Sequence, residues 1–166
     1  GAREGVCRYD GQTFRKITDE DGLPLAGVRA VIQDRRGDMW FSGGNSSYRY
    51  NGRTLAAFGP NDGLSSSGNA ILMDRAGNLW FGGPGGVTYY DGKTFTRADE
   101  IGSLETHAIF EDREGVLWFG SEGGLHRFDG TEWLTFTHED GLADNQVLSI
   151  TQDEAGHLWI GTAGGA

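Results

Sequence analysis

Four aspartates recur in this sequence at a fixed distance from a tryptophan, and they are the first side chains to consider for chemistry. Asp34, Asp74, Asp112 and Asp153 each begin the pattern Asp-x-x-Gly-x-x-Trp, which places the carboxylate six residues before the indole. Such carboxylates could serve as general acids or as metal ligands. An aspartate followed three residues later by glycine is, however, typical of a tight turn in which a carboxylate oxygen accepts backbone N–H groups. We therefore interpret all four as structural turn residues.

The other candidate bases and nucleophiles form no catalytic pattern. The four histidines fall at four different places in the repeat described below, and no two have the spacing of metal ligands: His107, His126, His138 and His157. No serine motif recurs, and Cys7 is the single cysteine, which excludes a disulfide within the chain. The sequence predicts no catalytic residue, no metal site and no cofactor.

The tryptophans mark four copies of a repeat, because Trp40, Trp80, Trp118 and Trp159 are 40, 38 and 41 residues apart. In each complete copy, an Asp-Gly or Asn-Gly pair begins 11 residues after the tryptophan, and the interval from this pair to the next tryptophan varies. The pairs begin at Asp10, Asn51, Asp91 and Asp129. All length variation therefore lies in one segment per repeat. Insertions are tolerated in surface loops but not within paired strands, so one loop per repeat varies on a rigid scaffold.

Four short apolar runs per repeat predict four antiparallel strands and no helix. In the first complete repeat the runs are 28–33, 38–42, 48–50 and 54–58. The Asx-Gly pair predicts a two-residue hairpin with both residues at positive φ. Four strands in about 40 residues are typical of a β-propeller blade. The prediction is one all-β propeller domain over residues 1–166, split between the second and third strands of a blade: half-blade 6–18, blades 28–58, 68–98 and 106–137, and half-blade 147–162.

Composition narrows the class of protein. The 166 residues include 29 glycines but only 3 prolines, and 37% are hydrophobic, which predicts a globular rather than a disordered or collagenous chain. The net charge of −10 repels phosphate backbones, so nucleic acid is not an expected partner. No apolar run approaches the roughly 18 residues that a membrane helix needs, so no membrane contact by this chain is predicted.

Many of the acids gather in the variable segment. We interpret them as solvated turn residues, with a rim for a cation or a cationic partner as the alternative. They are Asp19, Glu20, Asp21, Asp62, Asp99, Glu100, Glu105, Glu139, Asp140 and Asp144.

The repeated pattern Asp-x-x-Gly-x-Leu-Trp-[Phe/Ile]-Gly, followed by Gly-Gly, a [Phe/Tyr]-Asp-Gly turn and an Asp-Gly-Leu loop, resembles the two-component-regulator propeller repeat over essentially the whole chain. The resemblance implies a β-propeller, mostly seven-bladed in that family, which acts as a sensor domain on the periplasmic or extracellular side of a membrane. The turn is also similar to the sialidase Asp-box, a structural hairpin that implies no glycosidase. No kinase, receiver or helix-turn-helix pattern occurs in this sequence.

The tryptophans are expected to fill the space between neighbouring blades, one ring per blade. A stacking platform for sugars is the alternative. Trp133 takes a fourth-strand position that holds other apolar residues elsewhere, and we expect it to be structural as well.

The beginnings of the innermost strands are expected to surround the central channel of a propeller. Five residues before each turn aspartate stand Arg29, Asn69, His107 and Leu148, and Asn145 and Gln146 lie close by. A symmetric scaffold does not require these positions to differ, yet they do. Arg29, Asn69, His107, Asn145 and Gln146 are therefore the predicted ligand-binding residues, with solvated channel lining as the alternative.

The ends of the sequence predict self-association. Residues 1–6 align with residues 161–166, so each end carries half a blade with an unpaired edge. A dimer with eight blades needs about 45° per blade, near the roughly 51° of a seven-bladed ring, whereas a closed four-bladed monomer needs about 90°. The eight-bladed homodimer is the prediction and the four-bladed monomer the alternative.

Three functions are compatible with this sequence. The first is a non-enzymatic scaffold that binds a ligand or partner, as in the sensor propellers that the repeat resembles. The second is a propeller lyase similar to the streptogramin lyases, for which His107 and His138 are placed on the expected ligand face. The third is an excised or engineered fragment with no function beyond assembly. The ligand is not predicted.

Overall fold

A computed structural model describes residues 6–17, 27–43, 46–64 and 68–165. Its strands are β1 (Val6–Tyr9), β2 (Phe14–Ile17), β3 (Val28–Gln33), β4 (Met39–Gly43), β5 (Ser46–Tyr50), β6 (Leu55–Phe58), β7 (Ala70–Met73), β8 (Leu79–Gly83), β9 (Gly86–Tyr90), β10 (Phe95–Arg97), β11 (Thr106–Glu111), β12 (Leu117–Ser121), β13 (Gly124–Phe128), β14 (Trp133–Phe136), β15 (Val147–Gln152) and β16 (Leu158–Thr162). Short 3-10 turns span Pro60–Asp62 and His138–Asp140.

The strands form three complete blades and two half-blades. Strands β3 to β6, β7 to β10 and β11 to β14 make antiparallel four-stranded sheets in chain order, which we call blades 1, 2 and 3. Strands β1 and β2 form one two-stranded sheet, and β15 and β16 form another. The innermost strands β3, β7, β11 and β15 follow one another side by side. The predicted all-β propeller, with its split between the second and third strands of a blade, is confirmed.

The Asx-Gly hairpins differ from their prediction. The flanking strands pair Tyr9 with Phe14, which leaves a four-residue loop rather than a two-residue one. Only the glycine has positive φ (99° at Gly11), and no other residue type does in the described ranges. Asp10 keeps its backbone in an ordinary conformation because its carboxylate accepts the backbone N–H groups of Gln12 and Thr13.

The core lies between the blades. One cluster joins blades 1 and 2 around Trp40 and Phe81, and a second joins blades 2 and 3 around Trp80 and Phe119. The Asp-Gly-Leu loop contributes Leu64, which is 1% exposed in the first cluster. The next repeat lacks this tripeptide, and Ile101 is buried in the second cluster instead. The variable loops after blades 1 and 2 therefore each add one apolar side chain to the neighbouring interblade core.

Glycine at the second position after the tryptophan lets neighbouring blades approach closely. A Cβ atom added to Gly120 in β12 would stand 2.6 Å from Val147 Cγ1 in β15. Real Cβ contacts are not this short, so a larger side chain must push the last two sheets apart.

We expect Gly120→Ala to lower the free energy of unfolding by about 1–3 kcal/mol, because it overpacks this contact. Urea unfolding followed by tryptophan fluorescence measures the change. In a Val147→Ala background the same substitution should cost distinctly less, because the clashing methyl group is gone. Equal costs in the two backgrounds would contradict the assignment of the effect to Val147.

Candidate functional site

Bulges in the innermost strands present the predicted channel residues. The pairing of β3 with β4 shifts register between Val28 and Ala30, which leaves Arg29 as the extra residue. The same shift occurs at His107 in β11 and at Leu148 in β15. A β-bulge redirects the extra side chain and ends regular pairing. Three of the four channel positions are therefore set apart from the regular ladder, and the fourth, Asn69, directly precedes β7.

Hydrogen bonds connect the predicted residues of consecutive blades. Arg29 Nη1 donates to Asn69 Oδ1 at 2.7 Å, and Asn69 Nδ2 donates to Glu105 Oε1 at 2.8 Å. The same amide lies 3.3 Å from the carbonyl oxygen of Thr106. We call Arg29, Asn69 and Glu105 the channel chain. It brings a cation, an amide and a carboxylate from three blades into one line, and Arg29 is exposed to solvent.

The other three predicted ligand residues are placed differently. His107 Nε2 is buried, and no hydrogen-bond partner for it occurs in the described part of the chain. Asn145 Oδ1 accepts the backbone N–H of His138 at 2.7 Å, and the Gln146 carbonyl accepts the N–H of Ala163. Asn145 and Gln146 therefore make local loop contacts, and the structure gives neither a hydrogen bond to the channel chain.

The turn aspartates bind the tryptophans of their own repeats. In each copy Oδ2 accepts the indole N–H six residues later, at 2.8–2.9 Å. In each copy Oδ1 accepts the backbone N–H four residues later, for example Asn78 N to Asp74 at 2.8 Å. The aspartates therefore act as turn residues, as predicted, and each also accepts an indole hydrogen bond. This second bond explains why the spacing from aspartate to tryptophan never varies. These carboxylates are occupied by the scaffold.

Burial of the tryptophans depends on the blade that follows. Trp40 and Trp80 are 0% and 5% exposed, and Trp118 is half-buried. Trp159 departs from the predicted interblade core, because 57% of it is exposed. The reason is that no blade packs on the far side of β16 within the described residues. Trp133 is half-buried and stacks on Phe128, with ring centroids 4.5 Å apart.

Hydrogen bonding lowers the pKa of the Asp34 and Asp153 carboxyls. At Asp34 burial raises the pKa, but the hydrogen bonds from Trp40 and from backbone N–H groups outweigh it and the pKa falls. At Asp153 the Trp159 indole N–H is the largest cause, followed by the backbone N–H of His157, and the pKa falls to about 2.

We expect Trp159→Phe to raise the pKa of Asp153 from about 2 toward its ordinary value of 3.8, because the indole donor is lost. Carboxyl carbon chemical shifts recorded against pH measure this titration. Trp118→Phe is the control, since its partner is Asp112 and Asp153 should titrate as before. An unchanged Asp153 titration in Trp159→Phe would contradict the indole as the main cause.

The residue after each turn aspartate forms a second contact between blades, which we call the arginine ladder. Arg35 donates to the carbonyl oxygens of Arg75 and Ala76 in the next blade. Arg75 in turn donates to Arg113 O at 2.7 Å, and Arg113 donates to Glu154 O at 2.7 Å. This contact was not predicted from the sequence. Its signal was the Asp-Arg dipeptide in three of the four repeats, with Glu154 in the fourth.

The remaining candidate chemistry is structural or solvated. His126 is 3% exposed and lies between two hydroxyl groups, with Nε2 2.8 Å from Ser121 Oγ and Nδ1 2.9 Å from Thr135 Oγ1. Cys7 is exposed on β1. Within the described ranges no group of three His, Cys, Asp or Glu side chains could hold a metal ion.

The acidic side chains of the variable loops have several different roles. Asp62 and Asp140 accept the backbone N–H groups of Gly59 and Thr137 at the starts of the two 3-10 turns. Glu105 belongs to the channel chain. Asp19, Glu20 and Asp21 lie outside the described residues.

A comparison with protein-family models identifies repeats of the two component regulator propeller at residues 101–123 and 141–164. The resemblance inferred from the repeated motifs is thereby confirmed. A search of curated proteins finds no match to this chain.

Solved structures give the same fold. The extracellular domain of the hybrid two component system BT3049 from B. thetaiotaomicron is 27% identical, with a TM-score of 0.71 over 84% of this chain and 20% of its own. The extracellular domain of BT4673 from the same organism is 21% identical, with a TM-score of 0.81 over 99% of this chain and 24% of its own. The chain thus spans about a quarter or less of either domain.

A virginiamycin B lyase from Staphylococcus aureus, in a catalytically inactive form, is 16% identical to this chain. Its TM-score is 0.71 over 96% of this chain and 56% of its own. At 21% and 16% identity the similarities to BT4673 and the lyase establish the fold alone. In the described part of the chain, no helix has the length and apolar character needed to cross a membrane.

Proposed function

We propose that this chain is a non-enzymatic propeller module that binds a polar ligand or a partner at its channel face and associates with itself to complete a ring. The channel chain carries the binding part of the proposal. Arg29, Asn69 and Glu105 come from three consecutive blades, differ from repeat to repeat, and lie within hydrogen-bond distance of one another. A scaffold that needed only repeated packing would not require such a set.

The chemistry of the channel chain favours a ligand with both donors and acceptors. Arg29 donates one hydrogen bond to Asn69, and its guanidinium has further N–H groups for an acceptor on the ligand. Glu105 receives the Asn69 amide on Oε1 and retains acceptor capacity for a donor. Saccharides and short peptides combine both kinds of group.

Similarity to extracellular sensor domains supports a location outside the cytoplasm, in the periplasm or beyond. The similarity to BT3049 at 27% identity comes from the extracellular domain of a signalling protein. In this proposal the module detects its ligand there, and the signalling output belongs to another domain or protein.

A thermal-shift screen with oligosaccharides and short peptides tests the binding proposal. A ligand that binds the native state raises the melting temperature in proportion to its occupancy. A compound that stabilises the native chain but not Asn69→Ala supports the channel site. Thr131→Ala in the outer Asx turn is the matched control and should respond as the native chain does. A compound that stabilises Asn69→Ala equally well binds elsewhere, and a screen without any stabilising compound counts against the proposal.

A lyase is the second candidate function, and the buried, unpartnered His107 Nε2 at a bulge is the observation that favours it. Imidazole is the commonest general acid or base in enzymes. Incubation with quinupristin, the compound bound in the similar lyase structure, tests this alternative. Turnover that is lost in His107→Ala would favour the enzyme, whereas no turnover by the native chain leaves the binding module as the better account.

A further inference from the structure

We propose that the cavity between β1–β2 and blade 1 is a socket for Trp159 and the β15–β16 hairpin of a second copy of this chain. This inference rests on the self-association proposed above and specifies the residues that produce it. The cavity has a volume of about 570 Å³. Its lining includes Ile17, Val31, Gln33, Met39, Phe41 and Tyr50.

The socket is lined by residues at the same repeat positions as those that surround Trp40 between blades 1 and 2. The Trp40 ring contacts Phe58, Phe81 and Tyr90, at centroid distances of 5.3, 5.7 and 5.4 Å. Counted by repeat position, the residues that correspond to these three are Ile17, Phe41 and Tyr50, and all line the cavity. The side chain missing from this arrangement is a tryptophan on a strand paired with β1.

Trp159 is the tryptophan for which the described part of the chain provides no such site. It is 57% exposed, against 0% for Trp40 at the same repeat position. Val31 in the socket is 50% exposed, which leaves apolar surface uncovered at both ends of the arc. Burial of one surface by the other removes both from water.

The opposite face of the junction is complementary as well. Between blades 1 and 2, Trp40 contacts Tyr90, and Phe58 contacts Phe95 at 5.3 Å. The corresponding pairs at the junction are Trp118 with Tyr9 of the second copy, and Phe136 with Phe14 of the second copy. Tyr9 and Phe14 are 56% and 76% exposed in the single chain. The β1–β2 half-blade of the second copy therefore supplies aromatic partners for Trp118 and Phe136 of blade 3.

The complete blades also define the strand register. Trp40 pairs with Arg49 and Trp118 with Arg127, so the same register pairs Trp159 with Arg8 of the second copy. The Arg49 guanidinium lies 6.0 Å from the centre of the Trp40 ring, a cation–π contact that Arg8 can reproduce. One position further along, Ile160 pairs with Cys7 of the second copy.

Gln33 is already oriented for this junction. Its Nε2 donates to Gly37 O at 3.0 Å, the contact that Gln152 makes with its own turn. Gln152 Oε1 then accepts the backbone N–H of Arg113 from the preceding blade. Gln33 Oε1 has no partner in the described part of the chain. In the composite blade it faces the backbone N–H of Glu154 of the second copy.

Mass measurement by light scattering and sedimentation tests the assembly. We expect about 36 kDa, twice the 18.0 kDa of one chain. Trp159→Ala should weaken the dimer by about tenfold or more, because a buried aromatic anchor is lost. Leu104→Ala is the matched control, since Leu104 is 39% exposed in the segment between β10 and β11, between blades 2 and 3, away from both half-blades.

A disulfide tests the register. Ile160→Cys places a thiol opposite the native Cys7, and oxidation should join two copies into a covalent dimer on a non-reducing gel. Leu158→Cys is the off-register control and should cross-link less. Cys7→Ser in the Ile160→Cys background should abolish the product.

The outcomes distinguish self-association itself from the socket that we propose to produce it. A mass of 18 kDa at all concentrations, or a disulfide formed within one chain, overturns self-association together with the socket. A dimer that Trp159→Ala leaves intact and that Ile160→Cys does not cross-link overturns the socket alone. A concentration-dependent dimer that is weakened by Trp159→Ala and trapped by Ile160→Cys supports it. None of these results depends on whether the channel chain binds a ligand.

Discussion

Replacing Trp80 by alanine should lower the free energy of unfolding by about 3–5 kcal/mol, the range for loss of a large aromatic side chain from a core. Trp80 is 5% exposed and contacts Tyr89 and Phe119 at centroid distances of 5.2 and 5.3 Å. Its removal opens a cavity between blades 2 and 3 and leaves the buried Asp74 carboxylate without its indole donor. Equilibrium urea unfolding, monitored by far-UV circular dichroism, measures the loss.

Two variants make this experiment specific. Trp80→Phe keeps an apolar ring but removes the N–H, so it should fall between the native chain and Trp80→Ala. Trp159→Ala has the same repeat position but a 57% exposed ring. Measured in a dilute, monomeric sample it should cost less than about 1 kcal/mol, since little contact is lost. Equal losses for Trp80→Ala and Trp159→Ala would contradict the interblade packing as the source of stability.

The fold could be predicted because constant intervals within the repeat fix which residues of neighbouring strands pair. The intervals from aspartate to tryptophan and from tryptophan to Asx-Gly are constant, and a strand cannot gain one residue without exchanging its two faces. Strand ends were predicted to within about two residues: the second strand of blade 1 was expected at 38–42 and lies at Met39–Gly43. The turn geometry was wrong at Asp10 because its carboxylate, rather than a left-handed backbone, organises the loop.

The sequence predicted where the candidate site lies, but it did not predict all the hydrogen bonds that join its residues. Arg29 and Asn69 were identified because they break the symmetry of the repeat, and a hydrogen bond joins them. Glu105 was assigned to a solvated loop, because the sequence does not reveal that Asn69 reaches across to the next blade. Asn145 is satisfied by a backbone N–H of its own loop, a contact set by the 3-10 turn at His138–Asp140.

The same kind of interblade contact that buries Trp40 and Trp80 is missing at Trp159, so stability and the proposed assembly have a common physical cause. Each blade alone leaves one aromatic ring without cover, and the next blade supplies that cover. The channel chain lies at the beginnings of the innermost strands, where a bulge sets Arg29 apart from the regular ladder and Asn69 and Glu105 directly precede their strands. Channel residues can therefore vary among repeats while the interblade contacts remain constant.

Acidification should destabilise the chain between about pH 6.5 and pH 4, and His126 is expected to be the main cause. Burial lowers the pKa of His126 from 6.5 to about 4, because water cannot solvate the charged ring. Between these values the unfolded chain binds a proton that the folded chain does not. Stability is therefore complete above pH 6.5 and falls by about 3 kcal/mol as the pH approaches 4.

Unfolding free energies measured across this range, in the native chain and in His126→Gln, test the assignment. Glutamine can still hydrogen-bond the hydroxyl groups of Ser121 and Thr135 but does not titrate, so the slope with pH should largely disappear. His138→Gln replaces an exposed histidine and should retain the slope. A slope that persists in His126→Gln would contradict the assignment, because another titrating group would then be its source. It would also mean that the fold tolerates protonation of the native imidazole, with Ser121 Oγ and Thr135 Oγ1 both accepting hydrogen bonds from the charged ring. In that case the hydroxyl pair, and not burial, would determine its charge in the fold.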